Sequence, residues 1–85
     1  MKLKELKRVI GKKLSKMNIR CGVELNELDE ILYVIADCRN WYNIKTIRTC
    51  INNILRYLYM TKNILYVSRD FQEGNLYIAE IFQYK

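Results

Sequence analysis

Eighty-five residues with a formal charge of +6 and no histidine or proline allow one domain with one modest core, since a chain this short hides only roughly 60–65% of its unfolded surface. An apolar fraction of 51% with seven tyrosines fits a folded globule and argues against disorder. No apolar run reaches the roughly 18–20 residues that span a bilayer, and the basic start lacks the h-region of a secretory signal, so a cytoplasmic protein without membrane insertion is expected.

The first predicted element is a helix over about 2–16. Leu3, Leu6, Ile10, Leu14 and Met17 recur at spacings of three and four and share one stripe, which Val9 widens. Lysines and Arg8 fill the rest of the circumference. Asn18 or Gly22 can end the segment. The stripe has two readings: it packs on the core, or it forms a dimer seam with a symmetry mate. Residues 19–25 read as a short extended piece.

A second helix is predicted from Asn26, a good N-cap, with Glu27, Asp29 and Glu30 in a first turn that favours acids. Leu28, Ile31, Leu32 and Ile35 would be its buried face. Residues 39–43 read as a break, where Trp41 or Tyr42 is expected to pack on the core and Asn43 to cap the next helix. The third helix, about 44–60, has the clearest pattern. Ile44, Ile47, Ile51, Ile54, Leu55 and Leu58 fall within roughly 100°. Lys45, Arg48, Thr49, Asn52, Arg56 and Tyr59 take the opposite sector. The period then changes to two: 63–69 and 76–84 read as an antiparallel hairpin, with a loop of about five residues containing Gly74 and Asn75. No internal sequence repeat is visible.

Charge is blocked along this order. Residues 1–23 hold eight bases against Glu5, residues 24–37 hold five acids and no base, and residues 38–69 hold six bases and no acid. An acid-free basic stretch on a patterned helix suits contact with a polyanion; an ordinary solvated face is the competing reading. Cys21, Cys38 and Cys50 lack CxxC spacing and read as small apolar residues rather than a disulfide framework or zinc site. Without histidine the commonest general base is missing, and neither catalysis nor a cofactor is expected. Ile, Lys, Asn and Tyr supply 35 of 85 residues, a bias of AT-rich codons that points to a microbial, viral or plasmid origin.

The order of helices and hairpin, with Asn43-Ile44-Lys45-Thr46-Ile47-Arg48-Thr49 followed by Ile51, Ile54-Leu55 and Leu58, resembles the winged helix-turn-helix DNA-binding domain. The long second helix and the Trp41-Tyr42 pair depart from that pattern. The resemblance implies an α+β fold of three helices and a C-terminal wing: one domain, 1–85, with a basic helix at 1–17, the helix-turn-helix at 26–60 and the wing hairpin at 63–84. It implies a small dimeric regulator of transcription bound to double-stranded DNA. Helix 44–60 would enter the major groove. Lys45, Arg48, Thr49 and Asn52 would meet phosphates or base edges, Arg56 the backbone, and Arg69 and Gln72 the flanks of the site. Leu3, Leu6, Ile10 and Leu14 would be the dimer or core stripe. A homodimer suits a palindromic site. The alternatives are a protein-interaction or inhibitor module using the basic and aromatic surface against a protein partner, and a membrane-surface role for the first helix.

Overall fold

The computed structural model describes residues 2–84. Helix α1 spans Leu3–Lys16, strand β1 Gly22–Asn26, β2 Ile31–Asp37, helix α2 Trp41–Lys62, β3 Tyr66–Glu73 and β4 Leu76–Gln83. The strands form one antiparallel sheet in the order β1-β2-β4-β3. The winged-helix expectation is overturned: there are two helices and a four-stranded sheet, and the 63–84 hairpin is half of that sheet rather than a wing.

Both helices lie on one face of the sheet. Leu6, Ile10 and Leu14 of α1 are buried, and they meet Ile47, Ile51 and Leu58 of α2 above Leu32, Val34 and Ile81 of the strands. Helix α1 ends in a Schellman motif. Asn18 is left-handed, its N–H donates to the Ser15 carbonyl, and the N–H of Ile19 donates to that of Leu14. Helix α2 starts three residues earlier than the spacing predicts. Its cap is Asn40, whose side chain accepts from the Asn43 N–H at 3.1 Å, so Asn43 is inside the helix. Trp41 and Tyr42 therefore occupy the first turn, and neither joins the core: they are 58% and 78% exposed.

The predicted second helix is a hairpin. Asn26 does not cap a helix. Its side chain accepts from the Asp29 N–H at 3.1 Å and donates to the Asp29 carboxylate, closing a turn that Glu30 leaves with φ 55°. This is the same short Asn-to-backbone bond that caps helices, here used in an Asx-type turn. Residues 31–37 then extend, which suits the β-branched and aromatic Ile31, Tyr33, Val34 and Ile35. Strand β3 also runs further than expected, to Glu73. Glu73 pairs with Leu76, so the turn is Gly74-Asn75 alone, with Gly74 at φ 59°.

The order is helix-strand-strand given twice, α1-β1-β2 and α2-β3-β4, with β2 and β4 pairing at the centre. The halves are thus related by an approximate twofold axis through the sheet, although no repeat is visible in the residues.

Candidate nucleic-acid interface

The fold sorts charge by layer. Helices α1 and α2 carry ten of the fifteen bases and one acid, Glu5, a formal +9; the rest of the chain sums to −3. Every base on the two helices is exposed. In α1 the buried stripe fixes Arg8 and Lys12 on the outward side, with Ser15 about one turn beyond Lys12 and Lys16 beside the groove toward α2. In α2 the seven buried residues leave an outward ridge of Lys45, Thr49 and Arg56, flanked by Asn52 and Asn53.

Of the residues expected to meet DNA, Lys45, Thr49, Asn52 and Arg56 share that open side. Arg48 is turned away from it. Its Nε donates to Asp70 of β3 at 2.7 Å, and its guanidinium lies 5.6 Å from the Trp41 ring centre and 5.7 Å from that of Tyr77. The Tyr77 hydroxyl donates to the same Asp70 oxygen at 2.9 Å. This cluster fastens α2 to the β3–β4 hairpin. Burial, then the Asp70 carboxylate, pushes the Tyr77 phenol well above its ordinary range, and Asp70 holds Arg48 charged.

Arg69 is on the other side of the sheet. It pairs with Glu80 at 3.3 Å and sits over Phe82. Gln72 is near the hairpin tip, where its amide donates to the Gly74 carbonyl. These three residues lie away from the open side of α2, because their hydrogen-bond partners are in the β3–β4 hairpin. Lys4 is paired with Glu27 at 3.3 Å, and Arg39 with Asp37, whose carboxyl falls to about 2 chiefly through the Arg39 side-chain hydrogen bond. Lys12, Lys45 and Arg56 make no ion pair among the described residues.

Leu3 is half-buried against the core, and Leu6, Ile10 and Leu14 are inside it. The α1 stripe is therefore committed within the protomer and is open neither to a dimer seam nor to lipid. The cysteines are unbridged, and burial raises the Cys21 and Cys50 thiols. Among the described residues no helix is long and apolar enough to cross a membrane, and no cluster of His, Cys, Asp and Glu has the composition of a metal site.

Sequence reasoning missed Arg8, Lys12 and Lys16 as companions of the α2 ridge. The signal was present in the basic first block, but the contact that sets α1 beside α2 is tertiary. It also missed Asn53 and the exposed Tyr57 and Met60 on the same helix. No protein-family model matches the chain, and neither does a curated protein or a solved structure.

Proposed function

We propose that this chain is a small DNA-binding protein that acts on transcription, gripping duplex phosphates with its helical layer. The observation that carries this reading is the segregation of charge: +9 on the two helices against −3 elsewhere. Packed helices lie about 8–10 Å apart, so the two-helix surface is roughly 20 Å wide. That exceeds the major groove, which is about 12 Å wide. Contact is therefore mainly with the backbones across a groove. Arg8, Lys12, Lys16, Lys45 and Arg56 supply the charge, and the Asn52 and Asn53 amides are the groups able to meet a base edge.

Five such phosphate contacts give a log–log salt slope of about −4.5, or a loss of roughly 500-fold in affinity for a fourfold rise in salt. Fluorescence anisotropy with a labelled duplex at two salt concentrations measures this directly. No detectable binding at low salt would sink the reading.

The exposed Tyr42, Tyr57 and Met60 on α2 favour a second reading, an acidic protein docked on the same layer with these side chains as anchors. A duplex competitor distinguishes the two. DNA that fails to displace a captured acidic partner favours the protein module.

A further inference from the structure

The sheet face turned away from the helices has no covering element among the described residues, yet it is largely apolar. Ile31, Tyr33 and Ile35 of β2 lie on it, with Leu76, Ile78 and Phe82 of β4. Val67 and Phe71 of β3 extend it. Leu65 and Tyr84 continue the ladder through the bond from the Tyr84 N–H to the Leu65 carbonyl. Four of these are well exposed: Leu65 42%, Phe71 41%, Leu76 46% and Tyr84 65%. A solvated antiparallel face ordinarily alternates to polar residues; this one is polar at Asn26, Asp37 and Glu73 near its margins and along one row through its middle, and apolar elsewhere.

We propose that this face is the contact with a second copy of the chain, the two sheets packing face to face about a twofold axis that runs parallel to the strands between β2 and β4. The register of the sheet argues for that axis. One transverse row reads Glu24, Tyr33, Glu80, Arg69 across β1, β2, β4 and β3. Rotation about an axis along the strands reverses the row and keeps its level. Glu24 then faces the partner's Arg69, and Tyr33 faces the partner's Glu80. Rotation about an axis that crosses the strands at this row would set Glu24 on the partner's Glu24 and Glu80 on the partner's Glu80, which like-charge repulsion disfavours.

The next row reads Gly22, Ile35, Ile78, Phe71. Under the same axis Phe71 faces the gap left by the partner's Gly22, and Ile35 faces the partner's Ile78. Charge and size both match in one arrangement, one row apart. The sheets would cross at about −30°, the aligned packing that strand twist dictates.

The area suffices. The strands hold 5, 7, 8 and 8 residues, and at about 3.4 Å per residue and about 4.8 Å between strands they cover roughly 460 Å² in plan. Side-chain relief raises the accessible area above that figure, and the smallest standard interfaces bury about 600 Å² per partner. The contact is therefore a modest one, at the small end of stable interfaces.

Self-association through the sheet is independent of DNA binding and is tested without DNA, by sedimentation equilibrium of the purified chain. The expected result is a reversible dimer with a Kd near or below about 10 µM. Ile78→Lys and Gly22→Trp are each expected to raise that Kd at least about tenfold, with far-UV circular dichroism unchanged. Gly22→Trp is the discriminating variant: a Cβ at residue 22 meets nothing closer than the Ile35 carbonyl oxygen at 4.0 Å, so the protomer accepts it while the dimer does not. A monomer at about 100 µM overturns the proposal and leaves the face to a different protein. A dimer indifferent to Ile78→Lys removes the sheet face from it, and one indifferent to Gly22→Trp alone overturns the strand-parallel axis.

Discussion

The helical layer and the open sheet face are built from the same short chain and solve opposite problems. Each helix buries one apolar stripe and leaves a surface whose charged groups are almost wholly cationic. The sheet also buries one side, but its other side remains apolar, with Glu24, Tyr33, Glu80 and Arg69 running across it. Cations repel one another across a protein contact, whereas apolar side chains gain by leaving water. The first surface is thus suited to a polyanion, as proposed, and the second to a like surface. The contrast teaches that net charge alone says little here. The value of +6 is the difference between a strongly positive layer and a mildly negative remainder.

Substitutions confined to one layer separate the two surfaces. The largest effect is expected from Lys12→Glu, Lys45→Glu and Arg56→Glu combined. Duplex affinity should fall at least about 100-fold at low salt, with a shallower salt slope, while the sedimentation behaviour of the free protein stays as in the wild type. Loss of dimer in this variant would show that the surfaces are coupled. Ile78→Lys makes the complementary change. Self-association is expected to weaken at least about tenfold, and affinity per protomer for a short single-site duplex, read by anisotropy, should move by less than about twofold.

Arg48→Ala tests the boundary between the layers. Its guanidinium lies over the Trp41 and Tyr77 rings and donates to Asp70 in a partly exposed cluster, so the change should cost about 1 kcal/mol. In a domain of this size that lowers Tm by roughly 4–8 °C. Duplex affinity should remain close to that of the wild type; a large loss would return Arg48 to the DNA surface.

The smallest effect is expected at the β2–α2 junction. Asp37, at about 2, titrates below the ordinary carboxylate range because Arg39 donates to it. A folded value below the unfolded one stabilises above the unfolded value, about 3.9, and that contribution disappears as pH falls through about 2. Arg39→Ala should return the Asp37 titration to the ordinary range in a carboxyl NMR experiment and flatten acid unfolding between about pH 4 and 2. An Asp37 titration unmoved by the substitution would refute the assignment.

What could be read from the residues depends on the locality of the signals. Helices α1 and α2 and the β3–β4 hairpin announce themselves through period and turn chemistry contained within each segment. The β1–β2 hairpin does not. Leu28, Ile31, Leu32 and Ile35 fit a helical stripe, and Asn26 followed by acids fits a helix start. The extended alternative is favoured only once β4 supplies the ladder for β2. That single misreading hid the open sheet face, because it assigned Ile31, Ile35 and Leu32 to one buried side when the strand splits them between two. At the candidate DNA surface, Lys45, Thr49, Asn52 and Arg56 were legible from the α2 period. The loss of Arg48 was not, since Asp70 lies 22 positions away and reaches it only through the packing of α2 on β3.

The doubled helix-strand-strand order has a consequence for connectivity. Lys2 and Gln83 line the same cavity at one end of the sheet, while residues 38–40 link the halves. A circular permutant that joins residue 84 to residue 2 through a short flexible bridge and opens at Arg39 would present α2-β3-β4 before α1-β1-β2. Read by element type alone, that is the parental topology again. Such a rearranged gene product should therefore fold, with the β2–β4 ladder again joining the last strand of one half to the last strand of the other.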